Sequence, residues 1–278
     1  MTNPLVSTEW LAAHLTAPDI RIVDASWYMP AEGRDPWGEY NAAHIPGAVF
    51  FDIEEISDKS SPYPHMSPVA EKFASRMKKL GLGDGHRIIV YDGTGLFSAA
   101  RVWWHLRAMG HTEVFVLDGG FPKWKAEGRP IEDMPPIHRE RHFTPRPNHL
   151  LIRDAEQVKA NITTKREQMV DARSPGRFNA TDPEPRAGVR GGHIPGAKNL
   201  HYSKLITANG TMRDRAELIT AFKQADIDTS KPVTASCGSG ITAAIILLAL
   251  NAIDAPDGAL YDGSWSEWGS RHDLPLEK

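Results

Sequence analysis

Four short blocks occur twice along this chain, in the same order and at nearly the same spacing. IRIVDA (Ile20 to Ala25), HIPGA (His44 to Ala48), IIVYDGTGLF (Ile88 to Phe97) and VLDGGFPKW (Val116 to Trp124) in the first half are matched by MVDA, HIPGA, VTASCGSGIT and LYDGSWSEW in the second. Asp24 to His44 spans 20 positions and Asp171 to His193 spans 22, while Asp92 to Asp118 spans 26 and Cys237 to Asp262 spans 25. A repeat of this length makes each half a structural unit. The 278 residues, a length open to one large domain or two, are therefore read as two. The stretch from Arg129 to Asn148 carries five prolines and almost no apolar periodicity, so it reads as an ordered or semi-rigid linker. The expected division is a first domain at 1–128, a linker at 129–148 and a second domain at 149–278.

Within each half, short β-branched runs alternate with helical patterns, which argues for parallel strands joined by crossover helices. Strands are expected at Ile20–Asp24, Arg87–Tyr91, Glu113–Leu117, Gln168–Asp171, Pro232–Ser236 and Ala259–Tyr261. Helix starts are signalled by Ser67-Pro68 before VAEKFASRMKKL and by Asp214, three residues ahead of Glu217, before LITAFKQA. The expected fold is α/β, with one mostly parallel open sheet per half, flanked by helices. Ligands of such sheets sit outside the carboxyl ends of the strands, where both Asp92 and Cys237 fall.

Cys237 is the only cysteine of the chain. An internal disulfide or a Cys-rich metal site is thereby excluded, and a reducing compartment fits. The N-terminal MTNPLVSTEWLAAHL lacks the basic start and apolar core of a secretory signal. The longest apolar run, Ala243 to Leu250, is far shorter than the roughly 20 residues of a membrane span. A cytosolic protein is expected. A formal charge of −3 provides no general basic field for nucleic acid or an anionic membrane, so any anion site must be local.

Cys237 lies between the apolar strand VTAS and the helix pattern AAIILLALNAI. Gly238 and Gly240 let the loop curl so that several N–H groups point inward, and the helix N-terminus adds positive potential. Both favour thiolate over thiol. The alternative is a small buried hydrophobe, as unpaired cysteines usually are. At the matching place in the first half stands Asp92, a carboxylate that cannot attack sulfur.

The duplicated HIPGA blocks, the Asp92 loop and the CGSGIT loop make the chain resemble the rhodanese family across essentially its whole length. Within that family the loop is similar to the 3-mercaptopyruvate sulfurtransferase branch. Thiosulfate sulfurtransferases typically carry basic residues after the cysteine, as in CRKGVT, whereas here Gly238 and Ser239 are neutral and Ile241 replaces the usual valine. The resemblance implies sulfur transfer through a Cys237 persulfide to cyanide, a small thiol or a reduced thioredoxin-like protein, with no metal or organic cofactor. It further implies that Arg177 and Arg186 clamp the substrate, that Gly238, Gly240, Ile241 and Thr242 shape its site, and that Ser239 acts with Glu54 and His65 from the first half. Two solvated arginines, and ordinary interface roles for Glu54 and His65, are the plainer alternatives. If Glu54 and His65 act, the site lies between the domains.

His44, His193, Asp118 and Asp262 are read as turn residues, and Trp103, Trp104, Trp124, Trp265 and Trp268 as packing. Arg190 is read as a bystander. A Cys-dependent phosphatase needs an arginine six positions after its cysteine, where this chain has Ala243, and a loop one residue longer. Thiosulfate:cyanide transfer and a non-catalytic sulfur-relay or binding module stand as competing functions.

Overall fold

The computed structural model describes residues 3–278. Two five-stranded sheets share one strand order. In the first, Leu5–Val6, Val114–Leu117, Arg87–Tyr91, Ile20–Asp24 and Ala48–Phe50 lie side by side, all parallel. In the second the order is Ile152–Arg153, Ala259–Tyr261, Val233–Ser236, Gln168–Asp171 and Lys198–Asn199, again all parallel. Two of the six expected strands start one residue later than read: Val114 rather than Glu113, and Val233 rather than Pro232. Proline has no N–H to give a ladder. The four edge strands, two or three residues long, carry no alternation that a sequence pattern could register.

Asp214 begins the Arg215–Gln224 helix through the expected capping box, accepting from Glu217 N at 2.8 Å. Ser67-Pro68 does not begin the helix read there. That helix spans Ala70–Lys79 behind Val69, which gives no side-chain cap, and Ser67 N instead donates across the domain boundary to Asp262 Oδ2 at 2.7 Å.

The HIPGA blocks are turns of one design. Ala48 N bonds Ile45 O and Ala197 N bonds Ile194 O, with Gly47 and Gly196 at φ +79° and +76°. Proline followed by a residue of positive φ is the type II turn pattern, which explains the glycine. His44 and His193 hold the turns through Nδ1 to Tyr40 O and Phe178 O. Each also forms an antiparallel bridge, to Glu132 and to Glu277 respectively.

One hydrophobic cluster runs continuously from the first domain into the second. The Ala99–Ala108 helix, with Trp103 and Trp104 each 1% exposed, packs against the Ala243–Ala252 helix. This contact accounts for the all-round apolar character of AAIILLAL, which has no polar face because it has no wet one. Each such tryptophan, burying ~200 Å² at ~25 cal/mol per Å², contributes on the order of 5 kcal/mol before entropy is counted. Among the described residues no helix is long and apolar enough to cross a membrane. Residues 138–148 lie along the first domain, with Phe143 buried and Asn148 N bonded to Ala108 O.

Candidate active site

The strand Val233–Ser236 delivers Cys237 to the domain boundary, and the loop then curls back to the Ala243–Ala252 helix behind Thr242. Gly240 adopts φ +80° and donates its N–H to Cys237 Sγ at 3.1 Å. Cys237 O accepts from Trp265 N at 2.9 Å, and Gly238 O accepts from Ser266 N at 2.8 Å, so the next loop pins this one. The thiol is 1% exposed and lines a cavity of about 190 Å³. Ile241 and Thr242 line the same cavity, and Trp27, Met29 and Phe97 reach into it from the first domain.

The first domain shows what such a loop holds. Asp92 is 1% exposed, and its carboxylate accepts four backbone N–H bonds, from Thr94 (2.9 Å), Gly95 (3.0 Å), Phe97 (2.7 Å) and Ala99 (2.9 Å). A strand-to-helix loop of this kind is an anion cradle, occupied here by the protein's own carboxylate.

Arg177 and Arg186 converge on Gly238. A Cβ at that position would stand 3.2 Å from Arg177 Nη2 and 3.8 Å from Arg186 Nη1, so a side chain there would crowd both guanidiniums. Arg177 follows from the short Pro175–Phe178 helix, capped by Ser174. Its Nη2 bonds Glu184 Oε2 at 2.6 Å. Glu184 also holds Arg173 Nη1 at 2.8 Å, and Arg173 further donates to Asp171 and Gly192 O. Arg186 makes no hydrogen bond or ion pair among the described residues. Burial, and then the Arg177 charge, pull it below the ordinary guanidinium value, while Cys237, Glu184 and Glu54 oppose that fall.

Ser239, His65 and Glu54 form a chain across the boundary. Ser239 Oγ lies 2.9 Å from His65 Nδ1, and His65 Nε2 lies 2.8 Å from Glu54 Oε1. Glu54 Oε1 also accepts from Trp27 Nε1 at 2.9 Å. The hydrogen bond from His65 holds the Glu54 carboxyl down to about 2, so it stays an acceptor. The ring thus bridges the carboxylate through Nε2 and the Ser239 hydroxyl through Nδ1. His65 has φ +61°, a strained setting for a non-glycine residue. Its carbonyl is taken by Arg101 Nη2 at 2.6 Å, and the same nitrogen bonds Asp262 Oδ1 at 2.6 Å. Arg101 Nη1 is buried with no acceptor among the described residues and lies against Gly240.

The model of the rhodanese-like domain matches residues 7–127 and again residues 154–271. The chain belongs to the rhodanese family. Relatives along almost the whole length include sulfurtransferases. The "Thiosulfate/3-mercaptopyruvate sulfurtransferase 1, mitochondrial" of Arabidopsis thaliana is 42% identical, over 99% of this chain and 78% of that protein. The human 3-mercaptopyruvate sulfurtransferase is 41% identical, over 98% of this chain and 93% of its own length. The crystal structure of SseA from Escherichia coli, described as a 3-mercaptopyruvate sulfotransferase with the rhodanese fold, superposes with a TM-score of 0.87 at 41% identity, covering 95% of this chain and 99% of that one.

This rhodanese brings together all the residues read from sequence as its site: Cys237, Gly238, Ser239, Gly240, Ile241, Thr242, Arg177 and Arg186 from the second domain, with His65 and Glu54 from the first. Four supporting groups were missed. Arg173, Glu184, Arg101 and Trp27 carry no motif of their own and are recognisable only through their contacts. Asp262 was misread as a turn residue: it is 3% exposed and takes both Arg101 and Ser67 N from the other domain. Asp118 likewise reaches across, accepting from Met212 N at 2.7 Å. Arg190 is tied to backbone carbonyls of Trp268, Gly269, Arg271 and Leu274 and faces away from the chemistry.

Proposed function

We propose that this rhodanese is a sulfurtransferase that takes sulfur from 3-mercaptopyruvate, carries it as a persulfide on Cys237 and releases pyruvate. The observation that carries the reading is the meeting of one thiol and two guanidiniums at Gly238. A carboxylate beside a ketone is suited to planar, paired donors, which arginine supplies.

In this cycle the Cys237 thiolate attacks the donor sulfur. The sulfur–sulfur bond forms as the carbon–sulfur bond breaks, and the electron pair leaves on the carbon fragment as pyruvate enolate. Arg177, Arg186 and the loop amides meet the charge on its oxygens. Ser239 gives its proton to the enolate carbon and recovers one through His65, whose ring Glu54 orients. Gly238, Gly240, Ile241 and Thr242 shape the substrate space. A second nucleophile then takes the outer sulfur: cyanide, a small thiol or a protein dithiol of the thioredoxin kind.

We assign residues 1–128 to the domain without a thiol, 129–148 to the linker and 149–278 to the catalytic domain. The first linker residues are held on the first domain through Trp124 Nε1 to Pro130 O and the His44–Glu132 bridge. A cytosolic location suits a lone thiol that must stay reduced.

Thiosulfate as donor is the second reading, favoured by the double name of the Arabidopsis relative. The deciding experiment is steady-state kcat/KM with each donor, under one acceptor condition, for wild type and Cys237→Ser. A mercaptopyruvate preference lost with the thiol supports the proposal. A thiosulfate preference supports the second reading, and turnover that survives Cys237→Ser refutes both.

A further inference from the structure

Among the described residues, two non-glycine residues are both buried and at positive φ, His65 and Ser264. His65 already belongs to the site. Ser264 stands at φ +48° with no exposed surface, and the repeat shows that this conformation suits a glycine: its counterpart in DGGFPKW is Gly120, at φ +52°. The two positions also match in their contacts, since Phe121 N donates to Asp92 O at 3.0 Å as Trp265 N donates to Cys237 O at 2.9 Å. A Cβ on Gly120 would stand 2.5 Å from Asp92 O and 2.6 Å from Gly95 O, so the half without the thiol has no room for a side chain there. The half that carries the thiol holds a serine at this point, against the backbone preference of the residue.

The hydroxyl has a task. Ser264 Oγ accepts the Cys237 N–H at 3.2 Å and donates to Tyr261 O at 2.9 Å. It thereby bridges the end of the Ala259–Tyr261 strand to the residue that leaves the Val233–Ser236 strand, and it satisfies a buried N–H group. Two residues on, Ser266 stands where the first half has Pro122, and it grips Gly238 O through both N at 2.8 Å and Oγ at 2.6 Å. A proline could give neither bond. Backbone strain persists only where the surroundings enforce it, and it gathers at functional sites.

We infer that Ser264 is a positioning residue of sulfur transfer, whose hydroxyl fixes the Cys237 backbone so that Sγ faces the Gly240 N–H and the donor cavity. The inference rests on the proposed role of Cys237 as the sulfur carrier. Strain and hydroxyl can be separated by substitution. Ser264→Gly removes both, whereas Ser264→Ala removes the hydroxyl and keeps the strain.

In denaturant unfolding Ser264→Gly should be more stable than Ser264→Ala, because glycine adopts positive φ freely. Persulfide formation on Cys237, followed by mass spectrometry over a single turnover of 3-mercaptopyruvate, should nonetheless slow in both by about tenfold or more, the scale of one hydrogen bond lost beside a reacting atom. The pH profile of Cys237 alkylation by iodoacetamide should move to higher pH in both, since a loosened loop holds the Gly240 N–H less well against the thiolate. Wild-type persulfide formation in Ser264→Gly, or an unshifted alkylation profile, overturns the inference. A rate that merely follows stability, high in Ser264→Gly and low in Ser264→Ala, overturns it as well. If the wild type forms no persulfide from the donor, the proposed function falls, and the alkylation profiles alone decide the role of Ser264.

Discussion

His65 Nδ1 lies 2.9 Å from Ser239 Oγ, and the two residues belong to different domains. The hydroxyl beside the nucleophile is therefore oriented from outside the domain that carries the thiol. Replacing His65 with Ala should lower kcat with 3-mercaptopyruvate by roughly 10² or more, the usual scale for a positioned proton-transfer group, with little change in KM. Ser239→Ala should behave similarly, and the double variant should be no worse than either single one. Additive losses in the double variant would show that the two do not act as a unit.

Glu54 offers a pH test. Its carboxyl is held near 2, against an ordinary 4.5, mainly by the hydrogen bond from His65. A depressed carboxylate contributes stability that is fully present above about pH 4.5 and is lost as pH falls towards 2. With the side chain 52% exposed, the contribution is below about 1 kcal/mol. Denaturant unfolding of wild type and Glu54→Gln should differ by a constant amount above pH 5 and converge towards pH 2. A difference that grows on acidification contradicts the assignment.

Asp24 behaves in the opposite sense. It is the repeat partner of Asp171, but where Asp171 has Arg173 the first domain has Ser26, and among the described residues no cation pairs with the buried carboxylate. Burial, with Asp92 adding to it, raises Asp24 from 3.8 to about 6 against the hydrogen bonds from Ser26 and Tyr91. Because the folded state then binds the proton more tightly than the unfolded one, stability falls as pH rises from about 4 to 6 and levels off above. Asp24→Asn should be stabilised relative to wild type by about 2 to 3 kcal/mol more at pH 7 than at pH 3.5. Parallel stability curves across that window would refute the account.

The Arg101–Asp262 pair, 1% and 5% exposed at 2.6 Å, joins the domains directly behind the cysteine loop. Breaking a buried pair from one side costs about 3 to 5 kcal/mol. Arg101→Met and Asp262→Asn should each destabilise strongly, and a double-mutant cycle should return a coupling above about 1 kcal/mol. Arg101→Lys should recover part of the stability but less of kcat, since one ammonium does not reproduce the shared grip on the His65 carbonyl and Asp262. A coupling near zero would show that the pair is bystander geometry.

At Gly240 a Cβ would stand 2.9 Å from Arg101 Nη1, and the backbone already sits at φ +80°. Gly240→Ala should destabilise by about 1 to 3 kcal/mol and weaken persulfide formation, which mass spectrometry of the thiol after donor treatment would read directly. Full persulfidation at wild-type rate would contradict the role given to the Gly240 N–H.

The repeat, the two α/β domains, the cysteine loop and the catalytic candidates were all legible along the chain, because each is a local pattern. Apolar runs define strands, glycines mark positive φ, and HIPGA specifies a turn in both halves. The resemblance to a family, resting on those same motifs, named Arg177, Arg186, Ser239, His65 and Glu54. The linear sequence could not reveal whether Glu54 reaches His65, why Arg173 is tied to two carboxylates while Arg186 has no partner among the described residues, or that Asp262 serves the other domain. Those are properties of side-chain distances between segments far apart in sequence, such as the 174 positions between His65 and Ser239. Local pattern determined which chemistry the chain holds. The packing of the Ala99–Ala108 helix against the Ala243–Ala252 helix decided how it is assembled, since burying their shared apolar surface brings the two halves of the site into hydrogen-bonding range.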